Sequence, residues 1–113
     1  MYQTQNKLKL DIVISGYEED KDKIRPVIES LQGQLNKINR NDIGVMFGLA
    51  QRSTNNLEEI RNKVITTMLN TEYYTVLDCT ENFIVMPNYI ESLIKNIEEN
   101  DEETLKLFGI NKC

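Results

Sequence analysis

Asp78, Cys79, Thr80 and Glu81 follow directly on the β-forming run Tyr73–Leu77 (YYTVL), and Tyr17 follows Gly16 at the end of another apolar run, Leu8–Ser15 (LKLDIVIS). A carboxylate at a strand end can present its oxygens to a ligand, or it can accept a hydrogen bond from the turn that it opens. Asp78 admits both readings. Cys79 carries a potential nucleophile, but the chain has no histidine to serve as its base and no second cysteine at CxxC spacing. It reads as a packed thiol. The same lack removes zinc sites built on histidine and both serine–histidine and cysteine–histidine catalysis. Ser53 and Thr54 could donate hydroxyls to a phosphate, although a polar turn ahead of a helix is sufficiently explained as a cap. Arg61 is either a solvated helix cation or a phosphate contact.

The elements that must position these groups follow from periodicity. Leu8–Ser15 begins with alternation and ends β-branched, which predicts a buried first strand and a turn at Gly16. From Lys21 to Ile38, Ile24, Val27, Ile28, Leu31, Leu35 and Ile38 recur at helical steps. Pro26 is expected in the first turn of this helix, where its missing N–H has no intrahelical role. Ile43–Leu49 (IGVMFGL) predicts a second strand, weakened by Gly44 and Gly48. Asn56 and Glu59 form an N-cap pair for a second helix with Leu57, Ile60, Val64, Met68 and Leu69 on one face, ending before Thr71. Tyr73–Leu77 is the third strand. Pro87, placed at a first helical position, opens a third helix with Ile90, Leu93, Ile94 and Ile97 inward. An acidic patch, Glu98–Glu103, follows, and the tail Leu105–Ile110 fits either a short strand or a docked turn.

Strand–helix alternation implies parallel strands joined by crossover helices, hence a small three-layer α/β/α domain with a mainly parallel sheet of three or four strands. If the second and third strands flank the first, the order reverses beside it and leaves a crevice at the carboxyl ends, with Tyr17 and Asp78 at its rim.

Composition bounds the function. The 113 residues suit one domain, and 40% hydrophobic with 27% charged residues is a globular balance. A formal charge of −5 disfavours nucleic acid and anionic membrane surfaces. Cys79 and the terminal Cys113 do not make a disulfide framework, which fits a reducing compartment. Met1–Lys9 is polar and no run is long enough to span a bilayer, so the expected location is cytoplasmic.

Three segments resemble family 2 glycosyltransferases of the GT-A fold. IVISGYEED (12–20) is similar to the opening strand and its tyrosine-bearing turn; RSTNNLEEIRN holds a serine–threonine turn and an arginine–asparagine pair, Arg61 and Asn62; TEYYTVLDCTENFIVMPNYIESLI is similar to the strand that ends in an aspartate-x-aspartate motif followed by proline and a helix. The resemblance implies a GT-A-like, nucleotide-sugar-binding half-domain spanning residues 1–113. It places Tyr17, Glu19, Ser53, Arg61 and Asp78 around a nucleotide diphosphate sugar. Asp78, with Glu81, would hold a divalent cation (Mn²⁺ or Mg²⁺) against the diphosphate. The sequence departs from the pattern at Thr80, where a second aspartate belongs, and at Ala50 and Gln51, where an aspartate usually meets the base. Metal affinity should therefore be weak. The acceptor-binding half that supplies the general base is missing from the resemblance, so sugar transfer would need a partner chain. The alternative expectation is an inactive module of the same fold that works through protein contacts or as a homo-oligomer, its open sheet edges offering the surface. A receiver-like domain fits less well, because no acidic pair follows the first strand.

Overall fold

β1 (Leu10–Tyr17) is the centre of the fold, and its burial explains its composition: Leu10, Ile12, Val13, Ile14, Ser15 and Gly16 are all sealed from solvent. A strand covered on both faces has no solvent side for polar residues, hence the near-continuous apolar run. The strand begins at Leu10 and not at Leu8, because Lys9 adopts φ 49°, which breaks the extended backbone. It also runs past Ser15 through Gly16. A Cβ on Gly16 would stand 3.3 Å from the Cβ of Cys79, so this glycine serves a close approach and not the expected turn.

The computed structural model describes residues 8–53, 56–68 and 70–113. Within them the order continues as α1 (Lys21–Ile38), β2 (Ile43–Ala50), α2 (Leu57–Thr66), β3 (Tyr73–Asp78), α3 (Tyr89–Glu99), α4 (Glu102–Leu107) and β4 (Ile110–Lys112), with a single 3₁₀ turn at Glu18–Asp20. The sheet order is β2-β1-β3-β4; β1 pairs in parallel with both neighbours, and β4 is antiparallel to β3. The sheet is mixed, mainly parallel with one antiparallel edge.

Register sorts the side chains by face. Leu10, Ile12 and Ile14 stand in rows with Ile43, Val45 and Phe47 on one side and Tyr73, Thr75 and Leu77 on the other. This face joins Ile24, Val27 and Leu31 of α1 and Ile90, Leu93 and Ile97 of α3 in one core. The opposite face carries Val13, Ser15, Gly48 and Asp78. It is covered by α2, which comes close enough that a Cβ on Gly48 would lie 3.4 Å from the Arg61 Cα.

Several local expectations change. Pro26 is the sixth residue of α1, in its second turn, and lies on the exposed side, where the carbonyl of Asp22 can turn to water. Asn56 caps α2 by accepting the Glu59 N–H at 3.2 Å, but that helix stops at Thr66, before Met68; Leu69 lies outside the described residues. Pro87 belongs to a turn two residues ahead of α3 and is not its first residue. The acidic patch is divided: Asp101 caps α4 by accepting the Thr104 N–H at 2.8 Å, and Glu102 and Glu103 fill its first turn, where the helix dipole favours anions. The tail is thus a helix and a strand, joined at Gly109 with φ +77°.

Gln34 explains how α3 docks. This buried amide donates to the Met86 carbonyl at 2.7 Å and to Ser30 Oγ at 3.1 Å, and its Oε1 accepts from the Ile90 N–H at 2.9 Å. Helical periodicity gives no sign of it, since a glutamine on an apolar face reads as a surface residue.

Candidate functional site

The carboxyl edge of β1 and β3 gathers the polar residues. Ser15 lies beside Asp78 in register, and the Cys79 N–H donates to the Ser15 carbonyl at 2.7 Å, so the two strand ends leave the sheet together. Tyr17 closes β1 two residues later, and the acidic turn Glu18–Asp20 follows.

Arg52, just beyond β2, organises this rim. Its guanidinium stands 4.6 Å from the centroid of the Tyr17 ring, a cation–π arrangement, and its Nη2 donates to Asp20 Oδ2 at 2.5 Å. Its backbone N–H meets the Glu19 carboxylate at 3.1 and 3.2 Å. Lys23 adds a second tie, donating from Nζ to the Thr80 carbonyl at 3.0 Å. The ends of β1, β2 and β3 are thereby laced together by two cations.

Asp78 is exposed and its Oδ1 accepts the Thr80 N–H at 3.1 Å, the turn-opening hydrogen bond that its position allows. One carboxylate oxygen keeps lone pairs for a ligand. Glu81, three residues on, is exposed. Among the described residues no three histidine, cysteine, aspartate or glutamate side chains converge as a metal-holding group. Cys79 is fully buried, and burial first, the Asp78 charge second, push its thiol up to about 11. It stays protonated and unreactive at neutral pH, as the lack of an activating base implies.

The other residues singled out by the sequence sit apart. Ser53 is exposed in the turn after β2, and Thr54 lies outside the described residues. Arg61 packs its backbone on Gly48, which stands in one row with Ser15 and Asp78. Two strand spacings, about 10 Å, separate that point from Asp78. Glu19 instead lines a cleft of about 700 Å³ on the β2 side of α1, floored by Ile24, Ile28 and Leu49 and rimmed by Glu18, Lys21, Arg25 and Gln51. Tyr17 and Asp78 do not line it. The structure therefore brings Tyr17, Glu19 and Asp78 to one end of the sheet but divides them between its rim and this cleft.

Arg52 is the residue that sequence reasoning missed. The available signal was charge placement: a cation two residues after one strand and an acidic triplet after its parallel neighbour must meet at the same sheet edge. No family model, no curated protein and no solved structure matches the chain.

Proposed function

We propose that the chain is a glycosyltransferase-like nucleotide-sugar-binding domain, holding a nucleotide diphosphate sugar at the carboxyl edge of β1 and β3. The observation that carries this reading is the strand order: β1 stands between the strands that follow it in opposite directions, so Tyr17 and Asp78 share the edge where such sheets form a ligand crevice. In this reading Tyr17 stacks on the base, and Asp78 with Glu81 carries a weakly held Mn²⁺ or Mg²⁺ against the diphosphate. Arg61 and Ser53 belong to the same donor contacts only if Ser53 and α2 move toward the rim. Sugar transfer draws on a partner chain for the acceptor site.

A second reading rests on Arg52. Its guanidinium already stands over one face of the Tyr17 ring and is paired with Asp20, so a base stacking on that face would have to displace it. That arrangement favours a glycosyltransferase-like module that acts through protein contacts.

Thermal unfolding separates the two. Donor binding predicts a rise in Tm with nucleotide diphosphate sugars and Mn²⁺, lost in Asp78→Ala and enlarged in Arg52→Ala, which uncovers Tyr17. An unchanged Tm at millimolar ligand in all three proteins would reject the donor site and leave the protein-contact reading.

A further inference from the structure

The two edges of the sheet are managed differently. β4 is three residues long and ends in Lys112, both features that discourage edge-to-edge pairing. β2 is eight residues long, Ile43–Ala50, with neither a charge nor a proline, and among the described residues only β1 pairs with it. Phe47 sits at its middle and is 47% exposed. Every second N–H and C=O along this strand points away from β1.

We propose that β2 is a self-association edge: two copies of the chain pair their β2 strands antiparallel about a two-fold axis at Phe47, forming one eight-stranded sheet. A two-fold normal to the sheet keeps each side chain on its own face, so the axis must pass through a residue and not between two. Centred on Phe47, the register sets Phe47 against Phe47 and Val45 against Leu49 on the α1 face. It sets Met46 against Gly48 and Gly44 against Ala50 on the α2 face, large beside small. Asp42 just before the strand and Arg52 just after it bring opposite charges near each other at both ends of the paired strands. The register one step away, centred on Met46, leaves Phe47 off the axis and sets it against Val45.

Asp42 and Arg52 each keep a partner in their own chain, Arg40 and Asp20, so their role across the axis is to select register by the sign of the field. The apolar middle supplies the affinity. Pairing also sets Val45 of the second copy beside Leu49, a floor residue of the 700 Å³ cleft, so the cleft gains a wall in the dimer. The association is independent of whether the carboxyl rim binds nucleotide.

Sedimentation equilibrium of the full chain tests this. The wild type is expected at twice its 13.2 kDa chain mass, and Phe47→Lys and Phe47→Glu each at the chain mass, their association weakened by roughly a hundredfold through loss of two buried rings and like charges at the axis. Because position 47 faces itself, mixing the two variants restores the dimer. A second route does not depend on tolerance of charge: Phe47→Cys in a Cys113→Ser background forms a disulfide-linked dimer on oxidation, whereas Phe83→Cys in the same background does not. A monomeric wild type at millimolar concentration overturns the proposal. So does a dimer that survives both charged variants, which would place the interface elsewhere. If the mixture stays monomeric and Phe47→Cys does not crosslink, the Phe47-centred register is wrong.

Discussion

The two faces of the sheet are closed in different ways. On one, α1 and α3 bury whole side chains, with Ile12, Ile14 and Ile90 at 0% exposure, and a buried glutamine locks the two helices together. On the other, α2 contributes no fully buried residue; Ile60 and Val64 are only half covered, as is Val76 of β3. The close approach there is made by backbone, at Gly48, and Ser15 Oγ is buried beneath it with no hydrogen-bond partner among the described residues. The layer of α1 and α3 thus holds most of the buried side chains, while α2 seals Val13 and Ala50 of the sheet beneath half-buried residues of its own. The other layer carries the helix with Arg61, whose own side chains are less deeply buried than those of α1.

The largest test of that asymmetry is Ile14→Ala. The side chain is fully buried in the core that α1 and α3 share with the sheet, so truncation leaves a cavity and is expected to lower unfolding free energy by about 3–4 kcal/mol in urea titrations. A cost near 1 kcal/mol would mean that this face is as loosely closed as the other. Next comes Gln34→Ala, which strands the Met86 carbonyl and the Ile90 N–H; the expected loss is about 2 kcal/mol, with α3 amides exchanging faster than those of α1. Uniform acceleration of exchange would show that the amide holds no particular pair of elements.

Much of this layout was legible in the sequence because apolar spacing alone specifies it. The span Lys21–Ile38 could be read directly, since one unbroken face repeats at three and four residues and Asn39 follows in the left-handed conformation that ends it. The sequence leaves the strand order open, since a sequential order also uses two crossover helices; the structure supplies the order in which β2 and β3 flank β1. Boundaries set by single backbone angles were not legible either, as at Lys9. The tail was illegible because six residues cannot display a period, and its strand exists only through pairing with β3. At the carboxyl rim, the positions of Tyr17 and Asp78 followed from topology. Arg52 did not, because a long side chain reaching across two loops leaves no periodic trace.

Acid unfolding probes the sealed layer where α1 hands over to β2. Arg40 donates from Nε and Nη2 to both oxygens of Asp42, and the Leu8 N–H donates to the same carboxylate. The Arg40 hydrogen bond, more than any other influence, lowers the Asp42 carboxyl to about 2 from 3.8. A depressed carboxyl stabilises the fold at every pH above its unfolded value, and that contribution drains away as pH falls from about 4 through about 2. Discounted for the partly exposed guanidinium, it amounts to about 1–2 kcal/mol at neutral pH. Wild type should therefore exceed Asp42→Asn by that margin in urea midpoints converted to free energy near neutrality, and the two should converge by about pH 2. A difference that stays constant down to that pH would mean that the carboxylate is not held by charge.

The smallest effect sharpens the comparison most. Val64→Ala removes a half-buried side chain whose Cγ2 would lie 3.4 Å from a Cβ on Gly48, so the neighbourhood is tight but one-sided. With solvent already reaching it and glycine opposite, α2 can settle toward the sheet and close most of the gap. The expected cost is about 0.5–1 kcal/mol, several times smaller than for Ile14→Ala, with α2 exchange raised and α1 exchange unchanged. A loss above about 2 kcal/mol would instead mean a cavity that cannot collapse. In that case α2 is held as firmly as α1, and the turn it carries could not move toward the rim to meet a ligand beside Asp78.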